Sequence, residues 1–211
     1  YLFNQNYGSD FRVTNESVLK NANLKPERLN ASEIGLELWL FKNKVQLDIA
    51  GYQNVSVNQI ISRPISNSSG FANFNVNGGE VRTIGFEGML SAEIINKGGF
   101  KWNSSVNYST YRSKVTRLPD GVDQFVTGVA NVFGGSGGSN TVFYIAKEGG
   151  RVGDMYGTGF VEIDGKTLFG ANGLPVQDGN LRVLGNYNPD FAMGFNNSFN
   201  YKCLELRVLV D

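Results

Sequence analysis

The sequence predicts an all-β chain whose antiparallel, up-and-down strands form part of a large transmembrane β-barrel, with long extracellular loops and short periplasmic turns. Three observations carry this expectation. Six segments alternate apolar and polar side chains with a period of two. The charges in those segments all fall on one face. The connections between segments alternate between short and long without exception. The composition agrees, since the chain of 211 residues holds 27 glycines and 12% aromatics, suited to pleated strands and turn-rich loops.

Taken in order, the strands expected are Glu33–Phe41, Val45–Tyr52, Thr83–Ile94, Phe100–Tyr111, Phe191–Tyr201 and Cys203–Asp211. The first two present Ile34, Leu36, Leu38 and Leu40, then Val45, Leu47, Ile49 and Gly51, on one face. The third and fourth present Ile84, Phe86, Leu90 and Ile94, then Phe100, Trp102, Val106 and Tyr108. The fifth adds Phe191, Met193, Phe195, Phe199 and Tyr201, with Asn197 as its one amide. The last adds Leu204, Leu206, Val208 and Val210. Glu33, Glu37, Asp48, Glu87, Glu93, Lys101, Glu205 and Arg207 occupy the opposite face. A cation facing lipid at mid-membrane depth costs about 2–4 kcal/mol, less for an acid, and that penalty accounts for faces so free of charge.

The connections sort by end. Lys42-Asn43-Lys44, Asn96–Gly99 and a tight turn near Tyr201–Cys203 are short, whereas residues 53–82 and 112–190 form connections of about thirty and about eighty residues. A soluble sandwich can keep one clean face per strand, but it has no reason to collect its long loops at one end. An outer-membrane barrel does. Aromatics near strand ends (Phe100, Trp102, Tyr108, Phe191, Tyr201) fit the interfacial girdles of such barrels. Six strands are too few to close one, because about eight are needed and an open edge in lipid leaves backbone groups unpaired. The chain is therefore expected to be a section of a larger barrel, 1–211 being part of the wall and its loops.

Charge and chemistry exclude much. Lysine plus arginine and aspartate plus glutamate both number 19, which offers no reason to expect nucleic acid. Histidine is absent, removing Ser-His-Asp and Cys-His catalysis and histidine-bearing zinc sites. The lone Cys203 permits no internal disulfide and is expected to be half-buried. No cofactor, metal or catalytic residue is expected. The glycine-rich stretch "GVANVFGGSGGSNTVFYI" lacks the lysine and helix of a phosphate loop and reads as a loop tip. Asp164-Gly165 and Asp178-Gly179 lack the alternating carboxylates of a calcium loop and read as turns.

Three stretches resemble the TonB-dependent outer-membrane transporters, and the last resembles their SusC/RagA branch. "NLKPERLNASEIGLEL" (Asn23–Leu38) is similar to the family's stretch leading into a late barrel strand. "FANFNVNGGEVRTIGFEGML" (Phe71–Leu90) resembles another strand start, with Thr83 where asparagine is usual. "GNYNPDFAMGFNNSFNYKCLELRVLVD" (Gly185–Asp211) is similar to the branch's "G-N-x-x-P-D-F" signature. The resemblance implies a nutrient importer of the Gram-negative outer membrane that takes up glycans or peptides under a SusD-like surface lipoprotein, with energy from the TonB complex displacing a plug. It implies no enzyme. Within it, Glu37, Asp48, Glu87, Glu93, Lys101, Glu205 and Arg207 would face the lumen, as plug contacts, substrate path or simply a wet wall with cross-strand pairs such as Glu93–Lys101. Phe125, Phe133, Tyr144, Tyr156 and Phe160, with Phe143 and Phe169, would meet ligand or the partner protein, or else serve to fold the long loop. The alternatives are a barrel of another class, such as an adhesin or porin, and a soluble secreted β-sandwich that binds carbohydrate; a hydrolase is more distant.

Overall fold

The computed structural model describes residues 2–7, 10–131 and 141–211. Its frame is one sheet of six antiparallel strands: β4 (Arg28–Leu40), β5 (Val45–Val57), β8 (Glu80–Lys97), β9 (Phe100–Arg117), β16 (Ala192–Tyr201) and β17 (Leu204–Val210). They lie side by side in chain order, each hydrogen-bonded to the next, with β4 and β17 as the edges. This is the up-and-down arrangement expected, strand for strand.

The first four wall strands run farther toward the long loops than alternation predicts, and β8 also continues to Lys97 at the short turn, whereas β16 and β17 end within one residue of the expected bounds. β8 and β9 each contain 18 residues, about 60 Å at 3.3 Å per residue, whereas crossing a bilayer takes about 9–11 residues. The connections between wall strands accordingly shorten to 58–79 and 118–191. Both fold into sheets of their own. In the first, β6 (Ile60–Pro64), a 3-10 turn at Asn67–Ser69 and β7 (Asn73–Asn77) join β3 (Val18–Leu19) in a three-stranded sheet. In the second, β10 (Gln124–Asn131), β11 (Thr141–Lys147), β12 (Asp154–Phe160) and β15 (Gln177–Asn186) form a four-stranded sheet, beside a small hairpin of β13 (Glu162–Ile163) and β14 (Lys166–Thr167). A further hairpin, β1 (Leu2–Tyr7) with β2 (Asp10–Asn15), opens the chain.

At the other end the turns are tight. Lys97 pairs with Phe100, leaving Gly98-Gly99 as a two-residue turn with φ of 62° and 79°. Both central residues of such a primed turn need positive φ, which glycine adopts without a Cβ penalty. Tyr201 pairs with Leu204 around Lys202-Cys203, so Cys203 is exposed at a hairpin tip rather than half-buried. The first turn takes four residues, because Phe41 leaves the strand with φ of 53° and joins Lys42, Asn43 and Lys44 in the reversal.

The register keeps the two faces apart. Leu36 opposes Ile49, Leu47 opposes both Leu38 and Leu90, and Leu90 opposes Val106, which in turn opposes Phe195 and through it Val210. One bulge in β8 preserves this order: after Glu93 the pairing shifts, so that Ile95, not Ile94, opposes Trp102. The extra residue turns Asn96 to the charged face, where it opposes Lys101 and bonds Glu93.

The apolar face is bare. Ile34 is 81% exposed and Leu204 70%, and the buried hydrophobic residues among those described are Val115, Leu118 and Ile145, all outside the expected membrane band. A sandwich would lay a second sheet over such a face; no described segment does so. Two aromatic clusters mark its ends. Phe86, Tyr108 and Phe191 pack in a row on the long-loop side, with centroids 6.4 and 5.9 Å apart, and Trp102 stacks on Phe199 at 5.6 Å near the turns.

The amide that interrupts the apolar face of β16 has a partner. The Trp102 indole N–H donates to Asn197 Oδ1 at 3.0 Å, and Asn197 is only 7% exposed. Trp102→Phe should lower the stability of the full-length barrel by about 1–3 kcal/mol, since the asparagine loses its donor while staying buried. Adding Asn197→Leu should recover most of the loss, because both partners are then apolar. The temperature at which the folded form converts to the unfolded form on electrophoresis reads both outcomes.

Candidate functional site

The seven charged residues expected on the inner face do share one face of the six-stranded sheet, but they form three separate groups. The first lies near the short turns. Glu93 Oε2 is 3.5 Å from Lys101 Nζ on the next strand, Glu93 Oε1 is 3.9 Å from Lys44 Nζ on the other side, and the Asn96 side-chain amide donates to Glu93 Oε2 at 2.9 Å. The Glu93–Lys101 pair expected across the turn is thus present and extended by Lys44. With both lysines about half exposed or more, each contact contributes at most about 1 kcal/mol. Beside this group Trp39, Gln46, Ser105 and Ser198 border a shallow hollow of about 330 Å³.

The second group is acidic. Glu37 and Asp48 are directly opposite across β4 and β5, and Asp48 lies with Glu33, Glu87 and Asn107 around a hollow of about 400 Å³. Glu37 accepts a hydrogen bond from the Gln46 amide at 3.1 Å. Opposed carboxylates repel, so this stretch of wall is a concentrated negative surface. Glu205 and Arg207 form the third group, neighbours on β17 paired at 2.7 Å, well exposed and apart from the others.

Trp39, which was not among the expected residues, also belongs to this face, opposite Gln46. Its odd position, shared with Glu37, was the available signal. Tyr52 does as well, and its ring lies over Gly85 on the facing strand, where a Cβ would sit 2.2 Å from the ring. Only glycine leaves room there for the tyrosine to cover the sheet.

The loop aromatics divide by environment. Phe125 borders the groove between the two outer loops, about 810 Å³ in volume, with Ile61, Arg63, Pro119, Val126 and Ile145. Tyr144 packs edge-on against Tyr187 at 5.7 Å, and Tyr156 opposes Phe143 across β11 and β12. Burial, and then the charge of Asp154, push the Tyr156 phenol above its usual range. Tyr144 and Tyr156 therefore build the loop sheet. Phe160 and Phe169 are well exposed on its outer hairpins. Phe133 lies outside the described residues.

The three motif stretches turn out to be fasteners. The Asn77 side chain accepts from the Lys25 backbone N–H at 2.5 Å and donates to the carbonyls of Lys25 and Asn58 at 2.7 and 2.8 Å. Glu27 caps the Ile60 N–H at 2.7 Å. Together these bind the segment preceding β4 to the first outer loop. At the other motif, the amides of Asn186 and Asn188 donate to the Val152 carbonyl, and Asn186 also donates to Asp154 Oδ1 at 3.0 Å. The Tyr111 hydroxyl donates to Asn188 Oδ1 at 3.0 Å, the Thr110 hydroxyl to the Asp190 carbonyl at 2.6 Å, and Arg151 pairs with Asp190 at 3.3 Å. Residues 149–152 also bond to Ser113 and Val115, so the long loop continues the ladder of β9 above the point where β16 ends.

A family model described as TonB dependent receptor-like, beta-barrel, matches residues 2–201. TonB-dependent receptor P3 of Formosa agariphila is 27% identical over 208 residues, an alignment covering 89% of this chain and 20% of that protein. TonB-dependent receptor P39 of the same organism is 28% identical over 159 residues, covering 74% and 14%. Among solved structures, the RagAB peptide transporter superposes with a TM-score of 0.74 at 19% identity, covering 99% of this chain and 23% of that one. At that identity the likeness is one of fold. The chain spans about a fifth or less of the length of the curated relatives it matches.

If Asn77 fastens the segment preceding β4, Asn77→Ala should speed hydrogen exchange at the Lys25 amide by about tenfold or more, with three hydrogen bonds lost. Amides within the β4–β5 ladder should keep their protection. Unchanged exchange at Lys25 would remove the fastening role.

Proposed function

The chain belongs to the TonB-dependent receptor-like β-barrel family, and from that premise we propose that it supplies part of the wall and two outer loops of a SusC/RagA-type importer in a Gram-negative outer membrane. The carrying observation is the union of a bare apolar face with connections sorted by length. A face of that kind is solvated by acyl chains, and the sorting sets the short turns toward the periplasm and residues 58–79 and 118–191 toward the outside. The "G-N-x-x-P-D-F" stretch and the fold likeness to a peptide transporter favour the SusC/RagA branch.

In this reading the importer takes up glycans or peptides. A SusD-like lipoprotein covers the outer mouth, and TonB drives displacement of a plug held elsewhere in the full-length protein. The inner-face groups have distinct parts. Lys44, Glu93 and Lys101, near the periplasmic turns, meet the plug. The acidic stretch of Glu33, Glu37, Asp48 and Glu87 lines the passage, where it disfavours anionic solutes. Glu205 and Arg207 belong to the wall beside the next strand. In the loops, Phe125 in its groove and the exposed Phe160 offer apolar surfaces to ligand or lid, on a sheet that Tyr144 and Tyr156 hold together. The work is capture and passage, with no bond made or broken.

Trypsin treatment of intact cells producing the full-length receptor tests the topology. Cleavage is expected after Lys147, Lys166 and Arg182, with slower release at Arg151, which is engaged with Asp190. Lys42, Lys44 and Lys97 should stay uncut until the outer membrane is permeabilised. Cleavage of both sets at equal rates, with the protein recovered in a soluble fraction, would overturn the barrel assignment.

A further inference from the structure

The outer face of the wall does not stay apolar to its end. Just beyond the aromatic row of Phe86, Tyr108 and Phe191, the outward-facing positions of adjacent strands become basic. Arg82 of β8 lies directly opposite Lys114 of β9, and Lys114 lies directly opposite Arg151 in the segment that continues the ladder. Arg112, on the same face of β9, opposes Ile84. Three cations thus stand in one cross-strand row with a fourth beside it. Like charges directly opposite one another destabilise a sheet, so the row calls for an anion.

The protein's own groups answer only part of that demand. The Arg82 guanidinium donates to Gln53 Oε1, a neutral acceptor. Arg151 pairs with Asp190. Glu80, two positions along β8 on the same face, is engaged with the Thr116 hydroxyl at 2.9 Å. Arg82, Arg112 and Lys114 are exposed, and no salt bridge among the described residues involves them.

Depth identifies the anion's source. From Tyr108 to Arg112 is four steps along β9, about 13 Å along the strand and about 10 Å along the membrane normal at the usual tilt of such barrels. That places the cations at headgroup level, directly above the acyl region. The hollow they border is amphipathic in the same sense: it has a volume of about 660 Å³, and along it Phe86 is followed by the Ile84–Arg112 pair and then by the Arg82–Lys114 pair.

Resting on the barrel orientation proposed above, we propose that Arg82, Arg112 and Lys114, assisted by Arg151, form a site on the barrel exterior for the phosphorylated headgroup of an outer-leaflet lipid. Its acyl chains would lie along Ile84, Phe86 and Tyr108. A lipid held there would neutralise the cross-strand cations and cover the junction where the long loop joins the wall.

The test uses the full-length receptor purified in a neutral detergent, as wild type, as the single variants R112Q and K114Q, and as the triple variant R82Q/R112Q/K114Q. Each is titrated with host lipopolysaccharide, with the same lipid dephosphorylated, and with inorganic phosphate, reading bound lipid by native mass spectrometry. Wild type should bind the phosphorylated lipid. Affinity should fall about fivefold for each cation removed and about a hundredfold for the three, with no comparable binding of the dephosphorylated lipid or of phosphate alone. Equal binding by wild type and variants, equal binding of the dephosphorylated lipid, or saturation by inorganic phosphate would overturn the site. So would loss of a co-purifying lipoprotein from the triple variant with lipid binding unchanged, which would assign the row to a protein partner. Heat-dependent electrophoretic mobility reports separately on the barrel. A receptor that shows it, yet binds no lipid, sinks only this site, whereas one that is water-soluble without detergent sinks the orientation on which the site rests.

Discussion

The constraint on which the rest depends is that a strand in hydrocarbon has no water to satisfy its backbone. Every N–H and C=O must be paired within the sheet. The wall therefore runs as an unbroken antiparallel ladder from β4 to β17, with few irregularities, each near a strand end or membrane boundary. From the ladder follow strict two-sidedness, because a one-residue slip would turn charges into lipid, and the tight reversals at Gly98-Gly99 and Lys202-Cys203. The Trp102–Asn197 bond is the same rule applied to a side chain: a polar group on the apolar face is kept only with its partner.

Above the membrane the constraint relaxes and the architecture changes character. Water can satisfy loop backbones there, so the connections spread into sheets whose order departs from the simple meander. They are tied to the wall by side-chain amides and short ladders: Asn77 against Lys25, Asn186 and Asn188 against Val152, residues 149–152 against Ser113 and Val115. Such fastenings hold aromatic surfaces such as Phe125 at set heights above the inner face without an extended hydrophobic core, of which the described residues contain little. The wall and loops thus divide the work. One supplies a frame through hydrogen bonding, and the other supplies exposed surface.

The charged face of the sheet follows from a similar economy. Facing water, its side chains need no strict pairing. Some pair, as Lys44, Glu93 and Lys101 do, and others stand as an acidic stretch beside Asp48. Paired charges near the turns and clustered acids farther along make this face uneven in charge along the strands.

Alternation by itself determined the six wall strands, their faces, their neighbour order and the placement of all seven charged residues on one face opposite the apolar one, because period-two patterning leaves one solution. The sequence also carried the Glu93–Lys101 contact, since a short turn brings those positions together. It did not reveal how far β8 and β9 extend, because beyond the membrane the polar-apolar code lapses where both faces meet water. Nor did it reveal the bulge after Glu93 or the role of Asn77, Asn186 and Asn188, whose partners lie tens of residues away. The row of Arg82, Lys114 and Arg151 was equally hidden. Arg82 and Lys114 face each other only through pairing across a hairpin, and Arg151 reaches them only when the long loop folds back on β9. Local periodicity fixes which way a side chain points; which distant side chain it meets is decided by the register of strands far apart in the chain.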